Sequence, residues 1–141
     1  MLLAAIAMQA VAQDYPSRGV RFIVPQTPGG ATDVFARAAG QRLAERWGKS
    51  VIVENRGGAA GTIGTEAVAK AAPDGYTLLV TYAGSQGINQ SLYPNLPFDS
   101  VKDFQTVATL AVTPFILIVG NGVPAKNLQE LIALARRKPD L

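Results

Sequence analysis

The stretch Pro25-Gln26-Thr27-Pro28-Gly29-Gly30-Ala31-Thr32-Asp33 has the residue types of an anion cradle. It follows a short apolar run and precedes a helical pattern. Gly29 and Gly30 let backbone N–H groups approach a ligand without obstruction by a Cβ. The helix behind them presents unpaired amides and the positive end of its dipole. Thr27, Gly29, Gly30, Ala31, Thr32 and Asp33 are therefore candidate contacts for a carboxylate or phosphate. The same residues also read as a plain turn with Thr32 or Asp33 as the N-cap, and residue type leaves both readings open. Asp33 repels an anion unless its carboxylate turns into the cap or receives a donor on the ligand.

Two further loops have related compositions. Gly57-Gly58-Ala59-Ala60-Gly61-Thr62-Ile63-Gly64 invites comparison with the dinucleotide fingerprint G-x-G-x-x-G, but Ala59 stands where the first glycine belongs. No Gly-Lys-Ser/Thr follows, which excludes a phosphate-binding P-loop. These glycines suit close helix-to-sheet packing and the rim of a cleft. Ala83-Gly84-Ser85-Gln86-Gly87-Ile88-Asn89 offers hydrogen-bonding side chains, with Ser85 and Gln86 as candidate ligand contacts and no titratable group.

None of the three loops holds an acid–base pair, and general acid–base catalysis needs a group of suitable pKa. The 141 residues include no histidine and no cysteine. Histidine-based triads, thiolate nucleophiles, thiolate metal sites and disulfides are all excluded. Thirteen Lys plus Arg against ten Asp plus Glu leave a net charge of +3, too small and too dispersed to point to nucleic acid. The residues favour binding over turnover, with no cofactor and no metal.

The elements that must position these loops alternate. Val20 to Pro25 reads as a buried strand. A helix is expected over Thr32–Trp47, with Phe35, Ala36, Ala39, Leu43 and Trp47 on its apolar face, Arg37, Gln41 and Glu45 opposite, and Gly48 as its stop. Val51–Val53 is a second strand, Thr62–Ala71 a second helix, Pro73-Asp74-Gly75 a turn, and Tyr76–Tyr82 a third strand. Strand–helix–strand–helix–strand predicts an α/β fold: a parallel sheet with helices on both faces. In such sheets ligands sit beyond the carboxyl ends of the strands, where the three loops lie. Hydrophobic residues make up 48% of the chain, and a chain of this length can bury roughly two-thirds of its surface.

Gln90–Lys102 reads as a long connection, after which Phe104–Val119 is expected to start a new strand pair that includes a strand over Phe115–Val119. Asn127 with Glu130 resembles a capping box for a helix that carries Leu128, Leu131, Ile132 and Ala135 on one face and that Pro139 stops. Residues 1–12 are uncharged and mostly apolar and end in Ala10-Val11-Ala12, as in the apolar region and cleavage site of a secretory signal peptide without its basic flank. The expected organisation is a leader remnant at 1–12, an incomplete first lobe at 13–100 and the start of a second lobe at 101–141. A chain that ends two residues after Pro139, with no strand following the last helix, reads as an N-terminal piece of a longer protein. The remainder is expected to be exported, with no direct membrane insertion after leader removal.

From about Tyr15 to Pro139 the chain resembles the substrate-binding proteins of tripartite tricarboxylate transporters, the Bug-type periplasmic receptors. The resemblance rests on Tyr15-Pro16-Ser17, Ile23-Val24-Pro25 with Pro28-Gly29-Gly30 and Asp33, and Val53-Glu54-Asn55-Arg56. It continues through Gly61 and Gly64, Pro73-Asp74-Gly75-Tyr76-Thr77-Leu78, Asn89 with Leu92-Tyr93, and Lys102-Asp103-Phe104. Gly57 stands where the family commonly has proline.

That resemblance implies a type II-like periplasmic binding fold, two lobes closing on a cleft. It implies a small carboxylate held by backbone amides at helix N-termini, one of them in the loop Thr27–Asp33, and the membrane components of a tripartite transporter as partners. Because a single lobe offers an exposed half-site, residues 1–141 alone are expected to bind weakly or not at all. Two other readings compete: a nucleotide-binding α/β enzyme fragment, with Asp33 or Glu54 near a phosphate-bound metal, and an exported ligand-sensing interaction module.

Overall fold

A computed structural model describes residues 14–114 and 116–138; the leader reading at 1–12, Phe115 and the stop at Pro139 fall outside them. Strand β1 (Val20–Val24), helix α1 (Ala31–Trp47), strand β2 (Val51–Asn55), helix α2 (Thr62–Ala69) and strand β3 (Thr77–Leu79) follow one another. The three strands form a parallel sheet of order β2-β1-β3, with Phe22 opposite Val53 on one side and Leu78 on the other. β1 is the central strand, and apart from the exposed Arg21 its residues are apolar on both faces, as suits a doubly covered strand. The crossover through α1 runs from β1 to β2 and the one through α2 runs back from β2 past β1 to β3, so right-handed connections place the two helices on opposite faces.

On the α1 face, Val20, Phe22, Val24 and Ala36 form the core, with Ala39, Leu43, Trp47, Val51 and Val53 packed around them. Ile23 points to the other face and is equally buried. α2 packs against β1 and β3. Phe35 lies off the buried stripe and is exposed, because one step along an α-helix turns a side chain by about 100° away from Ala36. Gly40 takes the place on the stripe and brings α1 close to β2, where a Cβ would stand 3.2 Å from Val51 Cγ1. Gly48 ends α1 in the left-handed region at φ 62°, and its N–H reaches Ala44 O.

β3 is shorter than the Tyr76–Tyr82 run that its apolar residues fill, since it pairs with β1 only over Arg21–Ile23. The turn before it is tied to the start of the described chain. Tyr15 Oη donates to Gly75 O (2.7 Å), Arg18 pairs with Asp74 (2.7 Å) and stacks over Tyr76 (4.3 Å to the ring centre), and Tyr15 meets Trp47 edge-on.

After β3 come one turn with π-type hydrogen bonding at Gly84–Ile88 and the short helix α3 (Asn89–Leu92). The sequence pattern gave no sign of either. Phe98 and Phe104 then stack edge to face at 6.0 Å. The chain separates into two compact units at Ala111–Val112.

The strand pair expected within Phe104–Val119 is absent from the described residues, and so is a strand over 116–119. A strand exists only where a neighbour takes its backbone bonds, and no described backbone group of 104–119 is so paired. In the second unit, helix α4 (Leu128–Arg137) begins as expected. Asn127 Oδ1 accepts the Glu130 N–H at 2.9 Å, and Glu130 Oε2 accepts the Lys126 N–H at 2.8 Å. No helix among the described residues is long and apolar enough to cross a membrane.

Candidate anion-binding site

All three glycine- or hydroxyl-bearing loops leave the carboxyl ends of parallel strands, so the topology alone gathers them at one end of the sheet. Because β2 and β3 flank β1 on opposite sides, the crevice that a change of winding direction opens lies beyond β1. The β1 loop is its centre. Side-chain bonds fasten the other two loops to it. Asn55 Nδ2 donates to Gln26 O (3.3 Å), Gln26 Nε2 donates to Ser85 Oγ (3.3 Å), and Asn89 Nδ2 donates to Ala60 O (2.9 Å).

Gly64 sets how near the second loop can come. A Cβ there would stand 2.5 Å from Arg56 O and 2.9 Å from Pro25 Cα, so only glycine lets α2 pack on the start of the β1 loop. The Gly58–Gly61 stretch has positive φ throughout, with Ala59 at φ 47° and Ala60 at φ 54° in the left-handed region, a conformation that costs an L-residue roughly 1–2 kcal/mol. The Gly64 contact is the close helix-to-sheet packing that the second glycine cluster suggested.

At the centre, Gly30 is the N-cap of α1 in extended conformation and has no side chain to cap with. Neither Thr32 nor Asp33 is the N-cap; Asp33 is the third helical residue and reaches backwards. Its Oδ2 accepts the Gly29 N–H at 2.9 Å, a variant of the capping-box geometry displaced by one residue. Arg37, one turn on, closes over it: Nε lies 3.1 Å from Asp33 Oδ2 and one terminal nitrogen 3.0 Å from Oδ1. The same guanidinium donates to Asn55 Oδ1 at 2.9 Å. The Asp33 side chain is nearly enclosed, and its carboxyl is held at about 2. The Arg37 hydrogen bond is the largest cause, the Gly29 N–H the next, and both outweigh the cost of burial.

The candidate residues therefore divide. The Gly29 N–H is already taken by Asp33. The N–H groups of Gly30, Ala31 and Thr32 have no hydrogen-bond acceptor among the described residues, as the first turn of a helix leaves them. Gly30 and Ala31 are exposed and Thr32 half-buried, and Thr27 is exposed beside them. Ser85 faces inward and is buried, serving as the acceptor for Gln26. Gln86 is half-buried and donates to Ser100 O at 3.4 Å.

Gln26, Arg37, Asn55 and Asn89 do the joining, and residue-by-residue reading missed them. Of these only Arg37 carried a signal, its i,i+4 spacing from Asp33. Instead of lying on the outer face of α1, it folds back over the loop. Among the described residues no three acidic side chains gather as a metal site requires. A surface depression of about 730 Å³ lined by Tyr15, Trp47 and Lys49 lies at the other end of the strands, where β1 begins, and shares no residue with the loops.

Comparison with known proteins bears on the family and the fold. Protein BugT of Bordetella pertussis is 39% identical over 137 residues, and a UPF0065 protein of Bordetella bronchiseptica is 43% identical over 138. Each match takes in 96% of this chain but only 42% and 41% of the relative, so the chain spans about two-fifths of the length of these proteins. Among solved structures, MatC from Rhodopseudomonas palustris with bound malate superposes with a TM-score of 0.74 at 38% identity, covering 86% of this chain and 42% of that one. A second protein of the same organism, solved with adipate, gives 0.70 at 34% identity, with 89% and 42% covered. The periplasmic binding protein BugD gives 0.64 at 36%, with 88% and 41% covered. The family model described as the tripartite tricarboxylate transporter family receptor matches residues 35–141. With a parallel α/β sheet, an amide-lined loop beyond its central strand and these matches, the chain belongs to the tripartite tricarboxylate transporter family of receptors.

Proposed function

We propose that this chain carries an anion-binding surface of a periplasmic solute receptor that captures a small carboxylate for the membrane components of a tripartite tricarboxylate-type transporter. One observation carries the reading. Three consecutive N–H groups, Gly30 to Thr32, stand unpartnered at the start of a 17-residue helix, beyond the carboxyl end of the central strand. Such donors and the helix dipole attract a carboxylate without a formal cation. Thr27 and Gln86 supply hydrogen-bonding side chains at the rim.

The nearby carboxylate, Asp33, is bonded to Gly29 and Arg37, so it is not poised to exchange a proton at neutral pH. That favours capture over catalysis. Neighbouring structures solved with malate and adipate support a dicarboxylate as the ligand class. In this reading residues 13–100 belong to a first lobe and 101–141 begin a second.

The test is an amide-resolved NMR titration of the 141-residue chain with succinate and malate. The Gly30, Ala31 and Thr32 resonances are expected to move together and to saturate only at millimolar ligand, as suits donors that stay in contact with water. Ligand-induced shifts elsewhere in the chain with those three resonances unmoved would refute the reading.

A further inference from the structure

The enclosed carboxylate of Asp33 stands one helical position after Thr32, at the edge of the cradle, where a bare negative charge opposes an anionic ligand. Enclosure without a partner would be costly in its own right. The chain answers both problems with one side chain, since the Arg37 guanidinium hydrogen-bonds Asp33 Oδ2 and stands at ion-pair distance, 3.0 Å, from Oδ1. Asn55, at the end of β2, takes a further Arg37 N–H and donates to Gln26 O, so the grip extends to the backbone of the cradle loop.

We infer that Asp33 and Arg37 form a charge-compensated clamp: Asp33 fixes Gly29 from behind, Arg37 cancels the charge this places beside the cradle, and neither touches the ligand. This rests on the carboxylate reading above. It makes Arg37 and Asp33 positioning residues, and it assigns the cradle's anion affinity to the backbone amides plus the neutrality of the pair. The groups that meet the Asp33 carboxylate are Arg37 from α1, the Gly29 N–H from the loop and Asn55 from β2. The nearby charges Glu54 and Arg56 pair with each other at 2.7 Å.

The clamp separates from a merely structural role by the sign of its mutational effects. Asp33→Asn keeps an oxygen for the Gly29 N–H and removes the negative charge, so succinate and malate are both expected to bind about twofold to fivefold more tightly. Arg37→Gln strips the compensation and is expected to weaken both on the order of fivefold. Arg37→Lys keeps the charge and stays within about twofold of the wild type, and the double variant Asp33→Asn/Arg37→Gln returns close to it. The readout is the NMR titration of Gly30–Thr32 in the full 141-residue chain.

A second readout needs no ligand. The wild-type Gly29 amide shift stays constant from pH 7 to pH 4, whereas in Arg37→Gln it moves within that range as Asp33 gains a proton. Weakening of malate but not succinate by Asp33→Asn would make Asp33 a contact for the ligand hydroxyl and overturn the inference. Equal weakening by both single variants would reduce the pair to scaffold and also overturn it. Ligand shifts in the wild type that bypass Gly30–Thr32 defeat the carboxylate reading instead, and the Gly29 titration still decides the clamp.

Discussion

Substituting Gly64 by alanine perturbs the point on which the crevice depends. In open space the change would stabilise α2 by about 1 kcal/mol, because alanine is the better helix former. The space is not open. The added Cβ would lie 2.5 Å from Arg56 O and 2.9 Å from both Pro25 Cα and Cβ, and the first two of these are backbone atoms that cannot rotate away. Relief requires α2 to back off from β1, and overpacking of this kind costs typically 1–3 kcal/mol, with backbone neighbours favouring the upper end. Net destabilisation is then about 2 kcal/mol. In a unit of this size that corresponds to a fall in Tm of roughly 8–16 °C.

The single tryptophan, Trp47, packs against the β1 core on the other face of the sheet, so its fluorescence in urea reports global unfolding rather than local disturbance. Because Pro25 opens the cradle loop, amide shifts at Gly29 and Gly30 are expected to change in the folded variant as well. Gly87→Ala, where a Cβ meets nothing within 4 Å, serves as the control and stays within about 0.5 kcal/mol of the wild type or above it. A Gly64→Ala chain as stable as the control would refute the close-approach argument and with it the geometry that fixes the second loop.

Ala60→Gly is expected to raise stability by about 0.5–1 kcal/mol, since glycine removes the strain of φ 54° but loosens the unfolded chain; urea titration of Trp47 fluorescence checks it. Asn127→Ala removes the acceptor of the Glu130 N–H and costs α4 about 1 kcal/mol, visible as faster hydrogen exchange in its first turn. Asp33 and Asp99 both hold their carboxyls at about 2. Asp33 does so chiefly through Arg37, and Asp99 through the amides of Lys102 and Val101. Folded-state values depressed below the ordinary 3.8 favour the folded chain above that pH, and the benefit disappears as pH falls towards 2. Tryptophan fluorescence followed from pH 6 to pH 2 is therefore expected to stay flat above pH 4 and to report loosening below it. Loosening that begins near neutrality would contradict the assignment.

The sequence made legible whatever short-range chemistry dictates. Apolar runs of strand length, a 3.6-residue stripe ending at Gly48, and Asn127 three residues before Glu130 are each decided within a few residues, and the structure bears them out. Strand order was not fixed by any local signal, yet alternation of strand and helix left few parallel arrangements, and with them came the end of the sheet where a site must lie. What stayed hidden is tertiary. Ser85 had the composition of a ligand contact, but only the position of Gln26 across the sheet turns it into a buried acceptor. Arg37 had the spacing to reach Asp33, but its third partner, Asn55, arrives through the parallel pairing of β2 with β1.

The run at 116–119, where no strand forms among the described residues, shows the complementary limit, since an apolar run states what a segment would bury and not what is there to pair with it. The cradle itself marks the boundary between the two kinds of knowledge. Its glycines are readable because the backbone alone requires them. Which of its amides are free depends on a carboxylate four residues along and a guanidinium one further turn away, a question of side-chain direction that composition does not answer. Gly29 and Gly30 are adjacent and identical in type, yet one N–H is spent inside the fold and the other has no acceptor among the described residues. A site built from main-chain donors is thus specified less by the residues that carry it than by the side chains that decide which donors remain.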